Sequence, residues 1–279
     1  MTKGYHRMPL GYGPSPGPRQ DTQGRPYSGW SQSSSEVYTV TFRAPRHQLA
    51  ALLPHECFSI EGQGESAQAS FKFTKLVNLP WLAGRGYNHF GLYIHDVVCR
   101  GKQEEIHGAY LSVLFENMAD PIITGRDELG YAKVYATLDD TRDSSSLNVE
   151  MGWEGSQWGH LAIRGLKQIS EDTDKYLIEP LLHLKYFPRT GDVGAADVEY
   201  PTVTPGRSVC LQEVYEAEPT NVELSFKSLG WSSLPTLHHI VDELAGIQIL
   251  EIEKARFEIQ KGGHDVGNQR SILVEDRKA

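Results

Sequence analysis

Short segments with apolar residues at every second position recur along most of this chain, and that period of two limits the fold more than any other feature. Val37 to Arg43 is an example, with Val37, Tyr38, Val40 and Phe42 spaced as in a half-buried strand. Further strands are expected at Ala67 to Phe73, Gly91 to Val98, Gly108 to Phe115, Leu147 to Trp153 and Gln157 to Arg164, then at Tyr176 to Phe187, Arg207 to Tyr215 and Asn221 to Lys227. A long strand is expected from Ile247 to Ile259, with a bulge at Ile249-Leu250 where two apolar residues adjoin. Helical patterns are few. One opens at Pro45, carries Leu49, Leu52 and Leu53, and closes at Pro54; another runs from Pro235 to Ala245 with Leu237, Ile240, Val241 and Leu244 on one stripe. Many strands with few helices predict an α+β chain, mainly antiparallel β, built on a curved or barrel-like sheet.

At 279 residues the chain is long enough for one well-filled domain, expected over residues 35–260. Residues 1–34 form a Pro/Gly/Ser-rich arm that has too little apolar content for its own core, although Tyr5, Tyr12, Tyr27 and Trp30 also suit it to lying across the domain. Residues 261–279 read as a polar, mobile tail. A formal charge of −9 opposes binding to phosphate backbones, so nucleic acid is not expected as a partner. The apolar runs stop short of the roughly 20 residues a membrane helix needs, and the first 20 residues lack the apolar core of a signal peptide. A cytoplasmic protein is expected. Cys57, Cys99 and Cys210 are far apart and form no CxxC pair, so they signal neither a disulfide framework nor a zinc site.

The richest stretch is Asp120 to Leu138. Asp120-Pro121 reads as a helix start, Gly130 as its end, and Tyr131 to Leu138 as a strand, which places Lys133 just past a helix-to-strand turn. Spacing alone leaves two readings open: a strand lysine with its amine in water, or a catalytic amine at a turn. The run Gly125-Arg126, an acidic residue, Leu129, then Tyr131, Ala132 and Lys133 resembles the signature of the acetoacetate decarboxylase family. Upstream, Gly108-Ala109-Tyr110-Leu111 stands at the family's spacing, and Glu218-Pro219-Thr220 and Leu234-Pro235 resemble its closing segment, so the likeness extends over about Glu36 to Ile259. The resemblance implies a homo-oligomer and a lysine, here Lys133, that forms a Schiff base with a substrate ketone after desolvation or a neighbouring cation has freed its amine.

Three departures accompany the likeness. The family's tandem lysines read Lys133-Val134, its catalytic glutamate aligns best with His89, and its substrate-binding arginine falls near Ser35. His89, in the glycine-flanked run Gly86 to Gly91, expected as a loop, is the candidate proton carrier beside an imine. Tyr87 and Tyr131 are candidate pocket residues, Arg85 is a candidate partner for a substrate carboxylate, and Arg126 and Glu128 are expected to brace their helix internally. His238-His239 lie about 100° apart on a helix and the other histidines are scattered, so no metal site is predicted. No phosphate-cradling loop or nucleophile elbow occurs, and imine chemistry needs no cofactor. The expected function is a Schiff-base lyase acting on a small carbonyl substrate, by family default a β-keto acid decarboxylase. Alternatives are imine-based aldol, dehydration or cyclisation chemistry on a polyketide-like compound, and a binding protein without turnover.

Overall fold

The computed structural model describes residues 4–170 and 176–274. In chain order the first strands are β1 (Ser34–Pro45), β2 (Phe58–Ile60), β3 (Ser66–Leu79), β4 (Arg85–Arg100), β5 (Glu105–Glu116) and β6 (Lys133–Tyr135). There follow β7 (Thr137–Arg142), β8 (Leu147–Trp153), β9 (Ser156–Ile163), β10 (Lys167–Gln168), β11 (Tyr176–Ile178) and β12 (Leu181–Pro188). The last are β13 (Ala196–Thr204), β14 (Arg207–Ala217), β15 (Val222–Phe226), β16 (Glu251–Lys261) and β17 (Arg270–Ser271). Three α-helices interrupt them: α1 (Arg46–Ala51), α2 (Ala119–Thr124) and α3 (His238–Gly246).

The strands form a mixed 13-stranded sheet with the path β10-β14-β16-β1-β3-β4-β5-β12-β13-β17, beside which β11 pairs with β14, β2 with β4 and β6 with β5, and a 4-stranded sheet ordered β15-β9-β8-β7. Pairing is antiparallel except where β5 meets β6 and β12. The mainly antiparallel α+β class read from the sequence is the one observed. The alternation explains how the sheets pack. Val40 and Phe42 of β1, Phe71 and Phe73 of β3, and Phe90 and Leu92 of β4 are buried on one face. That face meets the smaller sheet, with Phe71 and Phe226 ring centroids 5.1 Å apart and Phe115 and Trp158 centroids 4.6 Å apart. The residues between them, including Thr39, Thr41, Ser70, Lys72, Thr74 and His89, line a cavity on the opposite face.

Several boundaries differ from expectation. β4 continues back to Arg85, so Gly86 to Gly91, expected as a loop, lies inside a strand; the ladder to β3 absorbs the glycines, and Gly86 packs where a Cβ would strike the backbone of Leu76. The segment expected as one strand from Tyr176 to Phe187 divides at Glu179-Pro180 into β11, which pairs with β14, and β12, which pairs with β5 and β13. β13 was not anticipated, because Pro201 interrupts its pattern. α3 starts at His238 rather than Pro235, after a turn that buries Leu234 and Leu237. The long penultimate strand begins at Glu251, and its register shift lies opposite Thr41/Phe42 instead of at Ile249-Leu250.

Both termini pack against the body. The polar stretch beyond Lys261, expected to be mobile, turns back to pair with β13 and buries Ile272 at 1% exposure; residues 275–279 lie outside the described part. In the arm, Gln20 is 3% exposed and ties down Tyr5 through hydrogen bonds in both directions. Glu128 does not brace its own helix: it ion-pairs with Arg7 and lies 3.8 Å from Arg19, so the helix carries the arm. Arg126 instead donates to the Lys133 carbonyl at 2.9 Å.

Glu128→Ala strands two arginines that are only 11% and 10% exposed. A loss of about 3 kcal/mol is expected for breaking such a pair. Limited proteolysis should then cut the arm before the body unfolds.

Candidate active site

Three neighbouring strand ends supply the functional groups. In the β4–β5 ladder His89 stands opposite Glu116, and in the parallel β5–β6 pairing Lys133 stands beside Leu114. Because side chains alternate across a strand, Leu114 and Glu116 share the face opposite Phe115, which packs on Trp158 in the core. The chain enters β6 from α2 through a π-helical turn, Gly125–Leu129, that ends at Gly130 in the left-handed region at φ 82. Turns of this type are frequent at functional sites. α2 begins at Ala119 with Met118 before it, so Asp120 lies within the first turn and is not the cap. Its carboxylate there still suits the positive end of the helix.

Gly125 is where the turn touches the site. A Cβ built on it would lie 2.6 Å from Lys133 Cδ and Cε and 2.7 Å from Nζ. Lys133 itself is 7% exposed. Its Nζ donates to the Pro121 carbonyl at 3.0 Å, lies 2.9 Å from Glu116 Oε1, and sits 5.2 Å from the centroid of the Tyr131 ring. Glu116 is wholly buried. The Lys133 contact is short but poorly angled, so neither Glu116 carboxylate oxygen has a well-formed hydrogen bond among the described residues. Burial pushes the Glu116 carboxyl up from the usual carboxylate range, and the Lys133 charge opposes that shift. A carboxyl pushed up in this way holds a proton more readily than one in water, and its oxygen lies 2.9 Å from the Lys133 nitrogen.

A cavity of about 230 Å³ opens onto this pair and is lined by Tyr87, His89, Tyr131 and Arg207 as well. Pro18 and Trp30 of the arm form part of its wall. The His89 ring lies near that of Tyr87, with centroids 6.3 Å apart, and its Nδ1 is buried without a partner among the described residues. Burial, reinforced by the Lys133 charge, lowers the His89 imidazolium to about 3, so the ring is neutral at neutral pH. Burial raises the phenols of Tyr87 and Tyr131, which keeps both protonated. The Tyr131 hydroxyl is hydrogen-bonded to Thr204 Oγ1 at 2.9 Å, and its ring lies 4.0 Å from that of His183. His183, 1% exposed and 3.2 Å from the same Thr204 oxygen, is also lowered to about 3 by burial and the Lys133 charge.

The structure therefore brings Lys133, His89, Tyr87 and Tyr131 to one cavity. It does not bring Arg85, which is exposed, reaches only the Leu82 carbonyl at 3.4 Å and does not line the cavity. Arg207 is the cavity's guanidinium. The sequence reading missed Glu116 because it ended the strand at Phe115; carrying the alternation one step further would have placed Glu116 with Leu114. His183 and Arg207 gave no signal, since each reaches the site from a strand distant in sequence. Among the described residues no cluster of His, Cys, Asp and Glu could hold a metal ion, and no helix is long and apolar enough to cross a membrane.

The family model described as acetoacetate decarboxylase matches residues 7–259. Acetoacetate decarboxylase from Legionella pneumophila is similar in structure at 14% identity and TM-score 0.60, over 89% of this chain and 86% of that one. The enduracididine biosynthesis enzyme MppR, complexed with pyruvate, is similar at 14% identity and TM-score 0.57, over 86% and 88%. An acetoacetate decarboxylase-like enzyme from Sphingomonas wittichii RW1 gives 14% identity and TM-score 0.55, over 86% and 92%. No curated protein matches the chain. At such identities the structural likeness shows the fold alone.

Two outcomes are expected from this geometry. Gly125→Ala should displace the Lys133 amine and reduce its reaction with carbonyl compounds by about tenfold or more, since misplacement of a reacting group by about 1 Å can cost a hundredfold; reductive labelling of Lys133 measures it. His89 and His183 both titrate lower in the folded chain than when unfolded, so the stability they contribute is complete above about pH 6.5 and is lost as pH falls toward about 3. Thermal melts across that window should show the fall, and His183→Gln should flatten it.

Proposed function

The chain belongs to the acetoacetate decarboxylase family, and from that premise we propose that it is a cofactor-independent lyase whose Lys133 forms an imine with a ketone-bearing substrate. The observation that carries the proposal is the buried contact between Lys133 and Glu116. An attacking amine must be unprotonated, and Glu116, with its carboxyl pushed up by burial, is placed to take the ammonium proton. The free amine adds to the ketone carbon, and the carbinolamine loses water to give a protonated imine. For a β-keto acid, the electrons of the carbon–carboxylate bond then flow toward the imine nitrogen as carbon dioxide leaves. Glu116 gives its proton to the hydroxyl that departs as water and is reprotonated from solvent; the enamine then takes a proton at carbon from the Glu116 carboxylic acid, and water returns the ketone and the lysine. His89 enters neutral, as a proton acceptor and hydrogen-bond partner along the same wall.

A second reading keeps the imine and changes the bond that is broken or made. The family's second lysine is Val134 and its substrate arginine falls near Ser35 here, while the cavity adjoins a larger chamber than acetoacetate requires. Aldol, dehydration or cyclisation chemistry on a larger carbonyl compound suits those features. A relative in structure, MppR, has been crystallised with the condensation product of pyruvate and imidazole 4-carboxaldehyde. A binding protein without turnover would lack the imine altogether.

Borohydride added with a β-keto acid should attach a mass to the peptide carrying Lys133. Lys133→Ala and Lys133→Arg should both abolish it, because a guanidinium stays protonated; turnover retained by Lys133→Arg would overturn the proposal. His89→Ala should leave trapping largely intact and slow turnover by about 10² to 10⁴. Released carbon dioxide distinguishes decarboxylation from the other imine reactions.

A further inference from the structure

Beyond the cavity at Lys133 lies a second chamber of about 580 Å³, more than twice its volume, enclosed between the polar face of the large sheet and the β11–β14 side. The two spaces adjoin, since His89, Tyr93, Tyr131, Arg207 and His264 line both. A chamber of this size is in the range of pockets for small organic ligands, whereas the inner space alone fits a compact one.

The charge of the outer chamber runs against that of the chain. Lys72, Lys254, Arg207 and Arg256 line it against the carboxylates of Glu179 and Glu258 among the described residues, in a protein of net charge −9. Most of these charges are already satisfied. Glu179 pairs with His95 at 2.7 Å, Glu258 pairs with Arg256, and Lys254 pairs with Glu216 at 2.6 Å. Lys72 and Arg207 differ: among the described residues neither has a carboxylate within ion-pair distance, and Glu179 and Glu258 act on Lys72 only from farther off. Lys72 rests its ammonium over the Tyr93 ring, 4.6 Å from the centroid, at the boundary where the chambers meet. Cations left facing a cavity without a carboxylate partner are costly unless an anion or water completes them, and an anion completes them best.

We infer that the substrate carries, in addition to the carbonyl group that meets Lys133, a carboxylate several carbons away that is seated in the outer chamber by Lys72 and Arg207. The inference rests on the imine reading for the position of the carbonyl, and it specifies the substrate class: a long-chain oxo acid, which for decarboxylation is a β-keto acid bearing a second, remote carboxylate. Binding energy from the remote carboxylate would hold the chain along the polar face and bring the ketone to Lys133 in one orientation.

The test uses methyl ketones with a terminal carboxylate separated from the carbonyl by one to six methylenes, each paired with its primary amide. Calorimetric titration of the full chain measures binding without requiring an imine, and borohydride trapping with peptide mapping measures imine formation at Lys133. Acids with the longer spacers should bind about tenfold or more tightly than their amides, as expected for a charge-assisted contact. That ratio should collapse toward one in Lys72→Gln and in Arg207→Gln, and the shortest acid should show little of it. Acids and amides that bind equally while Lys133 is still trapped would overturn the remote-anion site and leave the imine reading intact. An acid preference without trapping would support the anion site and remove the imine. A trapped mass on the Lys72 peptide would overturn the inference, because Lys72 would then be a nucleophile and not an anchoring cation.

Discussion

The alternation of side chains along β1, β3, β4 and β16 is the constraint from which the rest of the molecule follows. One face of these strands carries Val40, Phe42, Phe71, Phe73 and Phe257 into the core against the smaller sheet. The other carries hydroxyls, amides and charges. A polar face cannot be buried bare, so it closes around a cavity and satisfies itself in pairs: Thr41 Oγ1 with Ser70 Oγ at 3.1 Å, Ser70 Oγ with His95 Nε2 at 2.7 Å, and Gln260 Nε2 with Glu258 Oε2 at 3.0 Å. The fold thus gives a lining for chemistry as a consequence of giving a core.

Lys133 and Glu116 are where this polar face sets a wholly buried carboxylate against a buried amine. Elsewhere on the concave side most charges pair, as Glu179 does with His95 and Glu258 with Arg256. At β5 and β6 a carboxylate with 0% exposure meets an ammonium with 8% exposure through a short but poorly angled contact. Taking both out of water can cost more than such a pair returns, so the contact is weak evidence for stability. Gly125 and the π-helical turn serve that arrangement by letting the backbone approach the lysine stem. The arm serves it from outside, since Arg7 and Arg19 fasten it to the same helix through Glu128.

Much of this was legible in the chain itself, and for a definite reason. Period-two alternation and turn residues are local, so the strands at Val37, Ala67, Leu147 and Asn221 and the helix after Pro45 could be placed from neighbours alone. The motif around Gly125 and Lys133 is local too. The short run from Gly125 to Lys133 contains both the glycine that makes room and the amine that uses it. Where local signals conflicted the reading failed: Gly86 to Gly91 looked like a loop because glycine marks turns more often than strand interiors, and Pro201 hid β13.

What tertiary structure alone decided is which distant residues share a wall. His89 and Glu116 are cross-strand partners, His183 and Thr204 brace Tyr131 from β12 and β13, and Arg207 enters from β14 in place of the sequence-adjacent Arg85. None of these relations can be read from spacing, because strand pairing depends on register between segments far apart in the chain. The sequence by itself determined a two-faced sheet and a lysine past a tight turn. The carboxylate that meets that lysine, and the unpaired cations beyond it, exist as a site only once the strands have been laid side by side.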